Sequence, residues 1–374
     1  MSTTLPIHLS DTAIEEFGRE LDAINDETKA DLGERDARYI HRLIKIQRGL
    51  ALGGRLLIFA SLAASAWPLF FAVVSLGTLA LATAKILENM EIAHNVMHGQ
   101  WDWMRDPEIQ SSTWEWDSVC PSEQWKHSHN VMHHTWTNVL GMDRDVGYGM
   151  LRVTDAQRWS PFYLLQPLSA ALMALLFEWF IALHDLELNL LVKGKKDPAA
   201  ARRQWRGIVQ KALRQSAKDY LLFPLLAGPF FFTVLAANMT ANVLRNLWSY
   251  VIIFCGHFPE GVHVFTRDQI QDETRAHWYV RQLLGSCNIE GGRLFHIMSG
   301  NLSHQIEHHL FPDLASNRYP EVAPRVRALC ARYGLPYHSG SLGRQFGTTV
   351  GKILRLALPS PRRVAAVQGA LSLN

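Results

Sequence analysis

The 374-residue chain carries a net charge of +3 and 48% hydrophobic residues, averages that taken alone describe a soluble protein of one large or two ordinary domains. Its four cysteines, Cys120, Cys255, Cys287 and Cys330, are too far apart for a CxxC motif and exclude a disulfide framework, in keeping with a reducing cytoplasmic environment. The N-terminus lacks the basic and apolar regions of a secretory signal, and the chain has no GxGxxG loop, P-loop or GxSxG elbow, which argues against nicotinamide or flavin chemistry within it.

The average hydropathy conceals a division, because apolar residues gather in a few long runs with charges between them. Residues 1–49 are polar, and Asp11 is expected to cap a helix over AIEEFGRELDAI. The basic, amphipathic run RYIHRLIKIQR, Arg38 to Arg48, reads either as a helix on an anionic membrane surface or as a solvated helix packed on the protein. Leu56 to Ala84 then holds no charge. A crossing takes about 20 residues, so the stretch from Leu50 to Ala93 accommodates two, turning near Trp67-Pro68. This hairpin delivers His94 and His98 just beyond a membrane.

Residues 101–148 are polar and rich in Trp and Asp. The next apolar stretch, Pro161 to Leu183, carries Gln166 and Glu178 and precedes the Lys/Arg-dense segment 193–218, which belongs on the cytoplasmic side. The stretch is therefore expected to lie along the interface or re-enter without crossing. A second hairpin is expected over Tyr220 to Ala237 and Val243 to Cys255, returning the chain at His257. The expected fold is all-α and integral to the membrane, with four transmembrane helices in two hairpins under a cytoplasmic helical cap. Its divisions are an N-terminal cytoplasmic segment 1–49, a membrane domain 50–345 and a basic tail 346–374. The basic runs flank apolar spans, so they suit lipid or an anionic substrate rather than nucleic acid.

Histidine placement carries the chemistry. His94 and His98 stand four apart in HNVMH, His129, His133 and His134 stand in HNVMHH, and His308 and His309 end HQIEHH. On a helix, residues four apart share a face, while a doubled HH reaches two different points. Neutral imidazole is a common ligand for iron, zinc and copper, and a core of unpartnered imidazoles would be costly to desolvate. Sets drawn from separate parts of the chain could hold two metal ions close together. Isolated histidines (His8, His41, His184, His263, His277 and His338) read as surface or satisfied core residues.

These three sets resemble the histidine boxes of the membrane-bound fatty acid desaturase family: HNVMH from His94, HNVMHH from His129 and QIEHH from Gln305. The likeness covers residues 40 to 345 or so. It extends to actinobacterial acyl-CoA desaturases of the stearoyl-CoA delta-9 type through GERDARYI, ENMEIAHNVMHGQWDWMRDPEI, VGYGMLRVT, FCGHFP and HQIEHHLFPDLASNRY. The resemblance implies two non-haem irons held by His94, His98, His129, His133, His134, His257, Gln305, His308 and His309, with His257 in the place of the family's lone histidine between the second and third boxes. Gln305 stands where many acyl-CoA desaturases have histidine. His304 is the stronger ligand but sits one residue out of register, and the family pattern favours Gln305. His127 and His296 have no counterpart in the boxes.

The implied activity is O2-dependent insertion of a cis double bond into a saturated acyl chain, as a CoA thioester or lipid-linked. No side-chain acid or base removes hydrogen from an unactivated methylene at neutral pH, so the reaction needs a metal-bound oxidant. Glu91, Asp143, Asp145 and Glu307 are candidates to orient the imidazoles or are solvated charges. Arg38, Arg42 and Lys45 could meet CoA phosphates. With no haem motif or iron–sulfur cysteines in the chain, electrons must come from a separate NADPH-dependent oxidoreductase or a ferredoxin. A hydroxylase of the same architecture, a membrane metal-binding or transport protein and a zinc-dependent membrane hydrolase are the competing readings.

Overall fold

The structure, a computed structural model, describes residues 5, 7 and 9–359. His8 and most of the basic tail, residues 360–374, lie outside the described residues. Among the described residues the molecule is mostly helical. Its departures from all-α among those residues are two parallel three-residue strands, Asn288–Glu290 and Ser339–Ser341, in register Asn288 to Ser339, and an isolated bridge between Val139 and Phe265.

The first helix, Asp11–Ala30, is capped by Ser10, whose hydroxyl accepts from the Ala13 amide, rather than by Asp11. Asp11 instead puts its charge in the first turn, where a helix favours an anion. The basic run Arg38–Arg48 is not a separate surface helix. It is the first half of one helix, Glu34–Ser61, that buries Ile40, Leu43 and Ile44 against the protein and continues into the apolar segment. Residue 49 thus lies within that helix, as residue 345 lies within Leu342–Leu356.

After a short turn, Trp67-Pro68 opens the next helix, where a proline needs no amide partner. This helix runs from Trp67 to Met97 and is long and apolar enough to cross a membrane. The two legs approach closely because Gly54 and Gly77 face each other; a Cβ on Gly77 would stand 2.8 Å from the Gly54 carbonyl oxygen.

The second hairpin is displaced from its expected position. Its turn lies at Gly228–Phe230, where Gly228 adopts φ 55°, and Phe231–His257 is one uninterrupted helix. The polar residues Asn238 and Asn242, which fall between the two expected spans, are buried within this helix, and their side-chain amides donate across the hairpin. Asn238 donates to the Asp219 carbonyl at 2.7 Å and Asn242 to the Tyr220 hydroxyl at 2.9 Å. Much of the basic segment 193–218 is the helix Pro198–Ser216, started by Asp197. Pro161–Leu175 and Phe177–His184 meet at 104°.

Charges at the base of the hairpins are paired. Lys85 bridges Asp219 at 2.8 Å and Asp117 at 3.0 Å, and Arg55 reaches Asp219 at 3.0 Å. The hairpin ends, by contrast, present bare apolar side chains. Trp67 is 72% exposed and Phe232 78%, with Phe71, Leu225 and Leu226 alongside. Patches of this kind mark a surface made to contact something apolar.

Candidate metal centre

The histidine sets sit where helical geometry is perturbed. Glu88–His94 and His127–His133 are π-helical, so simple α-helical spacing does not describe them; such turns are frequent at functional sites. Together with His257 at the end of a long helix and Gln305–Leu310, they bring all nine candidate ligands into one region, where His98 and His129 are half-buried and the others buried.

The imidazoles fall into overlapping groups whose ligand atoms lie within 4.8 Å of one another. His94, His98, His129 and His308 form one, His133, His257 and His309 another, and His134 joins His308 and His309 between them. The doubled histidines do reach different points: His308 belongs to the first group and His309 to the second. His129 and His133 divide likewise, although both also stand near Asp145.

Ring nitrogens converge on one another. His94 Nε2 stands 3.4 Å from His308 Nε2, and His309 Nε2 stands 3.2 Å from His257 Nε2. His98 Nε2, His129 Nε2 and both nitrogens of His134 are buried with no hydrogen-bond partner. Burial and mutual repulsion hold His98, His129, His134, His308 and His309 well below the usual imidazole range, so they are neutral with lone pairs free. Orphaned, neutral nitrogens facing one another are what a pair of bound cations would satisfy, and the residues fit a nitrogen-rich two-metal site.

The sequence profile of the fatty acid desaturases matches residues 35–341. The chain belongs to the fatty acid desaturase family. It is 50% identical over 356 residues to the NADPH-dependent stearoyl-CoA 9-desaturase of Mycobacterium tuberculosis, covering 94% of this chain and 82% of that protein. It is also 26% identical over 288 residues to an sn-1 linoleoyl-lipid 6-desaturase of Synechocystis, covering 73% of this chain and 79% of that one.

Outer contacts orient the desaturase imidazoles unequally. His133 Nδ1 faces both oxygens of Asp143 at 3.1 Å. Although burial disfavours its charge, Asp143 holds its pKa above the usual value. Asp143 also accepts from the amides of Asn138 and Asp145 and so fixes the loop beyond the box. Asp145 lies 3.5 Å from His129 Nδ1. His309 Nδ1 meets Gln282 Oε1 at 2.9 Å, and His308 Nδ1 meets the Tyr319 hydroxyl at 3.3 Å.

Glu91 and Glu307 do not serve the histidine boxes in this way. Glu91 accepts from Tyr39, Asn301 and Ser316, tying the Glu34–Ser61 helix to the segments that flank the third box. Glu307 accepts from Asn288 and Tyr337, and burial lifts its carboxyl to about 7.

Gln305 is buried, with Nε2 2.9 Å from His257 Nε2 and Oε1 unpartnered. It packs on Gly256, where a Cβ would stand 2.9 Å from Gln305 Cγ. His304 points elsewhere, its ring 4.6 Å from that of His296, which meets Ser303. His127 is exposed. Gln282, Tyr319 and His184, whose Nε2 lies 3.7 Å from Asp145, are neighbours of the site that no box spacing signals.

A cavity opens from His94, His129, His133, His257 and Gln305 and is walled by Trp116, Trp125, Tyr148, Phe177, Ile181 and Ile253. A separate open pocket carries Arg35, Arg38, Arg42, Arg293 and His296; Lys45 is not among its lining residues.

Proposed function

We propose that this chain is a membrane-embedded diiron desaturase that inserts a cis double bond into the saturated acyl chain of a CoA thioester. The observation that carries this reading is the pair of converging histidine groups beside a narrow cavity walled in part by aromatic side chains. His94, His98, His129 and His308 would hold one iron and His133, His257, His309 and Gln305 the other, with His134 between them. When bound, the irons supply the oxidising power, drawn from O2 and two electrons, that removes hydrogen from an unactivated methylene.

The protein's own residues hold the substrate. Aromatic walls exclude water and keep the acyl chain extended past the histidines, so that position along the cavity selects the carbon attacked. Arg35, Arg38, Arg42 and Arg293 supply the positive charge that a CoA phosphate needs outside the cavity. Stearoyl-CoA, with attack at carbon nine, is the first substrate to test. Electrons would arrive from a separate NADPH-dependent oxidoreductase or a ferredoxin.

In the membrane, Glu34–Ser61 with Trp67–Met97 and 198–226 with Phe231–His257 form two hairpins. Their apolar ends lie in lipid, and every candidate ligand lies on the cytoplasmic face. The bent pair Pro161–His184 re-enters without crossing. Residues 50–345 carry the site, the segment 1–49 caps it and 346–374 form a tail.

The test is expression in a desaturase-deficient host, with fatty acids compared by gas chromatography and mass spectrometry against a His133→Ala control. A new unsaturated acid absent from the control is expected. A hydroxy acid in its place would move the chain to the hydroxylase reading.

A further inference from the structure

The cavity follows one face of the Phe231–His257 helix. His257, Ile253, Ser249, Asn246 and Arg245 all line it, and their spacing of four, four, three and one places them along a single stripe. With a rise of about 1.5 Å per residue, the stripe runs about 18 Å from the histidines to Arg245.

The facing helix, Phe177–His184, has the same polarity. His184 lies beside Asp145 at the metal end, while Glu178 pairs with Arg245 at the far end. That far end is rigid as well as polar. Gln215 donates to Glu178 at 2.8 Å, Arg245 donates to the Asp117 carbonyl at 3.0 Å, and Lys85 and Lys218 hold Asp117 in turn.

We infer that the Arg245–Glu178 ion pair closes the acyl cavity and sets the longest chain accepted, with Ser249 and Asn246 as the last positions a substrate passes. This rests on the proposed desaturase activity. A flexible apolar end would yield to an extra methylene by repacking, whereas a buried ion pair held by Gln215 and the Asp117 carbonyl does not yield without stranding a charge. The length limit is therefore sharp. Ser249, whose hydroxyl meets Asn89 Oδ1 at 3.1 Å, is the position at which added volume shortens the cavity without touching the pair.

The experiment measures kcat/KM with myristoyl-, palmitoyl-, stearoyl- and arachidoyl-CoA for membrane-embedded enzyme supplied with its reductant, alongside metal content. Ser249→Phe is expected to lower the stearoyl-to-myristoyl ratio by about tenfold or more, the discrimination a pocket achieves against excess methylene. Glu178→Ala combined with Arg245→Ala removes both charges together and is expected to admit arachidoyl-CoA. If Ser249→Phe loses its metal, Ser249→Leu carries the same test. An unchanged length order in metal-replete Ser249 variants, or a double variant no better with arachidoyl-CoA, overturns the inference. Wild-type protein that desaturates none of the four thioesters would instead overturn the reading on which it rests.

Discussion

The two histidine groups are held in different ways. His133 and His309 are each anchored from behind by a strong acceptor, Asp143 and Gln282, while His94, His98, His129 and His308 rely on crowding of their own rings, with the Tyr319 hydroxyl and Asp145 at longer range. Arg281 strengthens the first arrangement by donating to the carbonyls of Thr135 and Thr137 while paired with Glu273. One group is thus fixed by hydrogen bonds that dictate tautomer, the other chiefly by packing around two π turns. A ligand fixed by a bond is vulnerable to a single atom; one fixed by packing is vulnerable to volume.

Removing a ligand outright should have the largest effect. His133→Ala or His309→Ala is expected to abolish desaturation in membranes while the protein still inserts, and full activity in either would sink the assignment. Asp143→Ala should come next, weakening metal retention by about 10- to 100-fold, as loss of an orienting carboxylate typically does. Tyr319→Phe, which removes only a 3.3 Å contact in the packed group, should cost less than Asp143→Ala in the same chelator titration. An equal loss would erase the contrast.

A smaller effect separates Gln305 from its neighbour. Gln305→Ala should lose iron faster than wild type, whereas His304→Ala, whose ring lies against His296, should match wild type. The reverse order would put His304 at the metal.

The last prediction concerns acid. His98, His129, His134, His308 and His309 are held neutral in the folded chain, whereas unfolded imidazoles take up protons near about 6.5. The unfolded state therefore binds more protons below that pH, and stability must fall as pH drops through it. Chelated protein in detergent should keep its denaturation midpoint between pH 8 and 7 and lose it progressively from about 6.5 downward. A midpoint that rose on acidification would contradict the burial of neutral rings.

Much of the site was legible because metal chemistry demands particular side chains at short, repeated spacings, and the histidine boxes are local in sequence. What braces them is not. Gln282 reaches His309 across 27 residues and Tyr319 belongs to a different helix, so no local pattern marks either. The carboxylates show the same limit. Asp143 and Asp145 face histidines, while Glu91 and Glu307, equally close to a box in sequence, accept from distant parts of the chain.

The first hairpin was readable from its uncharged run and Trp67-Pro68. The second was misplaced: Asn238 and Asn242, between the two expected spans, are buried within one continuous helix and bond to partners around Asp219. The Arg245–Glu178 pair has no sequence signature, since its members lie on separate helices.

The most direct test of the central claim is metal stoichiometry. Protein purified after expression with iron should contain two irons per chain, falling in His133→Ala. One metal per chain, or zinc in place of iron, would contradict the two-centre account.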